Sequence, residues 1–231
     1  GMFFYPYDYY YLILVVPALL ISLWAQFKVK STFHKYAGYH SGQGYTAVMI
    51  ARQILDQNGL FHVRIEMTSG NLTDHFDPRA NVIRLSESVY HSTSVASIGV
   101  AAHEVGHAIQ YSKGYLPIKI RNAVIPLTNI GSTLAFPLAI LGVIFSFEPL
   151  ITIGIWLFIA VVFFQFITLP VEFNASKRAL NTLKNDNILV GEEYTGAKKV
   201  LTAAALTYVG ALLVAVGNLL RLLALTGRRR D

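Results

Sequence analysis

The chain has 231 residues, of which 54% are hydrophobic and 14% charged, with a formal net charge of +6 and no cysteine. The missing thiols exclude disulfides, cysteine-ligated zinc and thiol catalysis. The charged fraction lies well below the roughly 25% usual for soluble proteins, and the apolar residues are gathered into long runs, so a mainly α integral membrane protein is expected. A basic balance in a soluble protein would suggest nucleic acid as a partner. Here the lysines and arginines flank apolar runs, and no zinc-finger or RNA-binding signature occurs. The expected partner is the lipid bilayer, not nucleic acid.

Residues 2–9 are aromatic and nearly uncharged (Phe3, Phe4, Tyr5, Tyr7, Tyr9), which reads as an interfacial belt. No side chain from Tyr10 to Phe27 is charged, and that length suits a span of about 17–25 residues. A basic start and a small-residue cleavage site are both missing, so a membrane helix is expected there and not a secretory signal. Lys28, Lys30 and Lys35 follow. His40 to Gly44 reads as a loop. Tyr45 to Leu55 reads as an amphipathic helix with Val48, Ile54 and Leu55 inward, closed by Asn58-Gly59. Two strand-like pieces, 61–67 and 81–85, enclose a turn-rich stretch with Ser69-Gly70-Asn71 and Asp77-Pro78. Ser92, Thr93 and Ser94 are N-cap residues for the next helix. Beyond a break at Pro117, a second apolar stretch (123–147) contains Pro126 and Pro137, which predicts a kinked or interrupted helix. Glu148-Pro149 reads as a tight turn, and 150–171 as a third span. Residues 172–199 are polar. The last apolar stretch, from about Val200, is rich in Ala and Gly and suits close helix packing. The layout is one membrane-embedded domain. It comprises a helix (10–27), a polar α+β segment (28–122), a helical hairpin (123–171), a second polar segment (172–199) and a last helix (200–226).

The chemistry sits between Ser97 and Gln110, whose core His103-Glu104-Val105-Gly106-His107 is an HExxH motif. Residues i and i+4 share a helix face, so both imidazoles can meet at one Zn²⁺ ion, with Glu104 one step round and within reach of a water at the metal. Catalytic zinc usually takes three protein ligands. The longer HExxHxxGxxH pattern would need Gly at 110 and His at 113, where this chain has Gln110 and Lys113, and no histidine follows His107. A ligand downstream must therefore be a carboxylate: Glu148, Glu172, Asp186, Glu192, Glu193 or Asp231. Glu148 falls in the hairpin turn, about 30 Å away across the bilayer. Glu192 and Glu193 lie beside Lys198 and Lys199 as solvated charge, and Asp231 is in the tail. Glu172 stands at the exit of the third span, where a carboxylate needs a partner. That partner is either a metal ion or, in the competing reading, Arg178 or water.

HEVGHAIQ, followed after a hairpin by LPVEFNASKRA, resembles the YugP-type bacterial membrane zinc metallopeptidases. The likeness extends to NLTDHFDPRANVIRLSESVYHS and KKVLTAAALTY and covers nearly the whole chain. More distantly the chain is similar to the HtpX and CAAX-prenyl protease group. The resemblance implies a gluzincin with one catalytic zinc, in a small α+β zincin-like segment carried by about four membrane helices of the bacterial cell membrane. His103, His107 and Glu172 would be the ligands and Glu104 the general base. In the distant group an Asp four residues after the ligand Glu orients a metal histidine; here that place is Ser176. His75, His91, Arg178 and Tyr194 are oxyanion-donor candidates by residue type. The strand Asn81, Val82, Ile83, Arg84, Leu85 precedes the motif helix, as the substrate-pairing edge strand does in gluzincins, and would bind an extended peptide by β-augmentation.

The activity expected is hydrolysis of protein or peptide bonds, with the site at the membrane surface. The alternative is a metal-binding but inactive membrane scaffold. A transporter would carry charges within its apolar runs, which are almost free of them. Lys28, Lys30, Lys35, Lys113, Lys119, Arg121, Lys177, Arg178, Lys184, Lys198 and Lys199 all flank the spans on the side of the polar segments. The positive-inside rule therefore puts those segments in the cytoplasm. Arg228, Arg229 and Arg230 pull the other way if the last helix crosses fully. Oligomeric state and substrate identity leave no mark in the sequence.

Overall fold

The computed structural model describes residues 9–227. Phe3, Phe4, Tyr5, Tyr7 and the Arg228, Arg229, Arg230 tail lie outside the described residues. A π-helical turn (Tyr11–Val15) leads into α1 (Val16–Ala37). Then come α2 (Ala47–Gln57), β1 (Arg64–Thr68), β2 (His75–Asp77), β3 (Val82–Ser86), α3 (Glu87–Tyr90), α4 (Val95–Ser112), α5 (Leu116–Ile144), α6 (Glu148–Asn185) and α7 (Glu192–Gly227). Four of the helices, Tyr11–Ala37, Leu116–Ile144, Glu148–Asn185 and Glu192–Gly227, are long and apolar enough to cross a membrane. The protein is a mainly α membrane protein with a small sheet.

The long helices overrun the apolar stretches. The boundaries expected at 27/28, 122/123, 171/172 and 199/200 all fall inside helices. Hydropathy reports how far a helix is apolar, whereas its hydrogen-bond ladder stops only where the backbone must turn. α6 ends just before Asn187, which has φ +53°, and α7 starts just after Gly191, which has φ +58°.

The described residues fall into two compact units. One comprises residues 9–26, 119–169 and 206–227. Within it α5 runs unbroken through Pro126 and Pro137, so of the two expected outcomes, a kinked or an interrupted helix, the interruption does not occur. A proline costs one backbone bond, and in a membrane helix neighbouring groups make good the loss. The turn falls at Ser146, with φ +50°, not at Glu148-Pro149. Those two residues open α6, where the first N–H groups have no intrahelical acceptor and proline costs nothing. Glycines set the packing. A Cβ on Gly131 would lie 2.6 Å from the carbonyl of Leu157, and one on Gly154 2.6 Å from that of Ala135, so the hairpin helices meet backbone to backbone. Gly210 lies similarly close to Ser22, and Gly217 to the carbonyl of Leu14.

The other unit comprises residues 27–118 and 170–205. In α2, Thr46 caps the N-terminus and Gly59, at φ +72°, follows the C-terminus. The buried face is Ala47, Ile50, Ala51, Ile54 and Leu55. Val48, expected to point inward, is only half-buried, and Ile50 takes that role. These side chains join Val95, Ile98, Ala102 and Val105 of α4, with Leu183 and Leu189, in the main core. Full burial of such side chains contributes about 1.5–3 kcal/mol each.

The sheet order is β1-β3-β2. β3 pairs in parallel with β1 from Arg64↔Val82 to Thr68↔Ser86, and antiparallel with β2 from His75↔Arg84 to Asp77↔Val82. The strand proposed as a substrate edge, Asn81–Leu85, is therefore the central one, and its backbone is already paired. Val82, Ile83 and Leu85 are fully buried, whereas the flanking strands are partly exposed. β2 escaped notice because three residues, His-Phe-Asp, are too few to show a period. The Arg84 guanidinium donates to Asp77 and holds its carboxyl below the usual range, aided by the N–H groups of Ala80 and Arg79 and opposed by burial.

Candidate metal centre

The site begins with the start of α4. The Ser94 hydroxyl accepts from the N–H of Ser97 at 3.1 Å, satisfying one of the free N–H groups of the first turn. The loop at 39–41 straps this start in place, with Ser41 N–H donating to Thr93 O and Val95 N–H to Tyr39 O. Along α4 almost every side chain is buried, including Glu104 and His107. The helix is held against α6 by Gly106, where a Cβ would lie 2.6 Å from the carbonyl oxygen of Ala175 and 3.2 Å from its Cα. Only glycine allows that approach.

This contact puts three donors together. Glu172 Oε2 lies 2.9 Å from His103 Nε2 and 3.2 Å from His107 Nε2. One ligand atom from each of the three residues lies within 4.8 Å of the others. Glu172 is 5% exposed, so its carboxylate has little access to water and relies on the imidazoles. The competing expectation gives it Arg178 or water as partner. Arg178 instead donates Nε to Asn174 Oδ1 at 2.7 Å and faces the Tyr115 ring.

The rear edges of both imidazoles are engaged. His103 Nδ1 lies 2.9 Å from Ser176 Oγ, so Ser176 touches the ring that an Asp orients in the distant protease group. His107 Nδ1 lies 3.0 Å from Gln110 Oε1. An amide oxygen only accepts, so the Nδ1 edge of His107 donates to Gln110, and Nε2 is the nitrogen turned towards Glu172 and a metal. Gln110 is fully buried, and its Nε2 donates to Val171 O at 2.8 Å and Asn174 Oδ1 at 3.0 Å. Asn174 also accepts from Arg178. An ordered chain Arg178–Asn174–Gln110–His107 results.

The donor set fits zinc. Two Nε2 atoms and one carboxylate oxygen face each other, and both Nδ1 atoms are taken up by hydrogen-bond partners. A tetrahedral ion with bonds of about 2.0–2.1 Å keeps its ligands about 3.4 Å apart. The two spacings from Glu172 Oε2 to the imidazoles fall short of that by a few tenths of an ångström, within the reach of small side-chain adjustments.

In the sequence Gln110 serves only to rule out the longer histidine motif, and nothing there singles out Asn174. The available signal is a neutral amide at i+3 from His107, one turn on from a metal-ligating candidate. Replacing Gln110 with Leu should lower zinc affinity about 10–100-fold, the range for residues supporting a ligand. Chelator competition would measure this, and an unchanged affinity would leave Gln110 a packing residue only.

The remaining candidates are engaged elsewhere. His75 contacts the Thr73 carbonyl and Arg84, and His91 packs edge-on against Tyr90. Tyr194 lies beneath the Lys184 ammonium. Val82, Ile83 and Arg84 are committed to the sheet on both sides.

A family model described as "Putative neutral zinc metallopeptidase" matches residues 11–227. The chain is 47% identical over 221 residues to a protein of Bacillus subtilis (strain 168) named "Putative membrane protease YugP", covering 96% of this chain and 98% of that relative. No solved structure matches. With His103, His107 and Glu172 gathered on two helices of a four-span protein, and a match over nearly its full length, this chain belongs to that zinc metallopeptidase family.

Proposed function

We propose that the protein is an integral membrane zinc endopeptidase with one catalytic ion held by His103, His107 and Glu172. The observation that carries this is the convergence of three mostly buried donors whose imidazoles are both held from behind, with Glu104 next to the first of them in sequence. Zinc, when bound, polarises a scissile carbonyl and lowers the pKa of water towards 7. Glu104 takes the proton of the attacking water and passes it to the leaving amine. Ser176 and Gln110 hold the rings of His103 and His107 so that the Nε2 atoms stay aimed.

Glu172 follows directly on the third apolar stretch of the chain, which supports a site at the membrane surface and substrates that are membrane-associated proteins or peptides. The lysines and arginines beside the spans support a cytoplasmic face. Single cysteines introduced into this cysteine-free chain and labelled from each side test that placement; labelling of residue 113 from outside only would reverse it.

The activity is tested on purified protein with an unstructured labelled protein such as casein. Removing metal with a chelator should abolish hydrolysis, and stoichiometric zinc should restore it. Full hydrolysis by metal-free protein would overturn the zinc assignment. Zinc binding without any cleavage would identify a scaffold.

A further inference from the structure

A groove of about 260 Å³ lies between the polar end of α6 and the start of α7. Each helix lines it with one stripe at helical spacing, Phe173, Lys177 and Leu180 on α6 facing Tyr194, Lys198 and Thr202 on α7. The helices run in opposite directions along it, so its chemistry changes from end to end. Asn181 and Tyr194 form a polar end, Lys177 and Lys198 stand in the middle, and Phe173, Leu201 and Ala205 form an apolar end. Among the described residues neither lysine has an ion-pair partner. Two cations bordering one cavity repel each other, and an anion between them removes that cost.

We propose that this groove binds the headgroup of an anionic phospholipid, with its phosphate between Lys177 and Lys198 and its acyl chains along the apolar end. A free anion would use only the lysines, and an acidic peptide would leave the apolar end unfilled. A lipid matches both ends, in the way basic pockets between membrane helices take phospholipid headgroups. The groove is also lined by Ser176, whose hydroxyl lies against Nδ1 of His103, the ring edge remote from Glu172. A molecule seated there lies behind the metal ligand and not in front of it, which separates this site from the path of a scissile peptide.

The test uses the full chain purified in neutral detergent, with retained lipid counted by native mass spectrometry and thermal midpoints measured with added phosphatidylglycerol or phosphatidylcholine. Phosphatidylglycerol should be retained and raise the midpoint, with an affinity about tenfold above phosphatidylcholine. The double variant K177Q/K198Q should lose that tenfold preference. T202W, which keeps both lysines but fills the groove, should lose retention as well, whereas K28Q/K30Q on α1 should keep both. Retention unaffected by K177Q/K198Q and T202W would overturn the proposal, as would an equal loss in K28Q/K30Q, which would mean diffuse surface charge. Full competition by millimolar inorganic phosphate would reduce the site to an anion site, and displacement of the lipid by a soluble acidic peptide would assign it to peptide; either result overturns the lipid assignment.

Discussion

Replacing Glu104 with Gln should abolish peptide hydrolysis while the protein keeps its zinc. The two side chains have nearly the same shape, so the mostly buried position on α4 accepts the change without opening a cavity. What is lost is the carboxylate that receives a proton, and general acid–base catalysis of this kind is worth about 10²–10⁴-fold in rate. Zinc content should stay at one per chain, because the three donors that face one another belong to His103, His107 and Glu172. Measuring zinc and casein hydrolysis on the same preparation separates the outcomes. Loss of zinc would make Glu104 part of the binding site, and undiminished hydrolysis would place the base elsewhere. The same variant serves in cells. Membrane and peripheral proteins that accumulate uncleaved when E104Q replaces the native chain are the substrates, and an identical proteome would count against a protease.

Replacing Gly106 with Val should damage the site through packing alone. A Cβ at this position meets the Ala175 backbone at 2.6 Å, and a backbone carbonyl cannot rotate aside as a side chain would. Overpacking of this kind costs about 1–3 kcal/mol. The change from glycine also favours the helix, but by less than about 1 kcal/mol for a β-branched residue, so the clash prevails. The greater consequence is geometric. Ala175 stands between Glu172 and Ser176, so pushing α4 away from α6 carries His103 and His107 away from Glu172 and from their supporting partners. Zinc affinity should fall by more than the Gln110→Leu variant loses, with a lowered thermal midpoint. A variant that unfolds earlier but binds zinc normally would show that α4 and α6 tolerate the shift. Gly106→Ala should fall between, since its single methyl keeps the clash but adds the smallest volume.

Much of the site was legible because its elements are local. An i, i+4 pair of histidines with a glutamate between them sits on any helix in the same geometry, and Glu172 was found among few acids by asking which one needs a partner. Ser176 follows from the resemblance alone, as the residue standing where the distant protease group has an Asp. Gln110 and Asn174 were not legible, because their value lies in a hydrogen bond between two helices separated by some sixty residues. The edge strand was misread for the same reason. Alternation within 81–85 tells nothing about how many neighbours the strand has, and the three-residue β2 that covers it leaves no periodic trace. The near-continuous apolar character of Val82, Ile83 and Leu85 was the available clue, since strands buried on both faces lose their alternation.

Sequence alone determined that the chain spans a membrane, that it lacks thiol chemistry, and which side chains have the chemistry to hold zinc. These follow from composition and from spacing within single helices, where geometry is set by the backbone period. Tertiary structure decided which helices touch, and therefore which ring nitrogen of His107 faces Glu172, which strand is central and why position 106 must be glycine. Such contacts depend on close approaches between segments distant in the chain, and a periodic pattern carries no information about its partner.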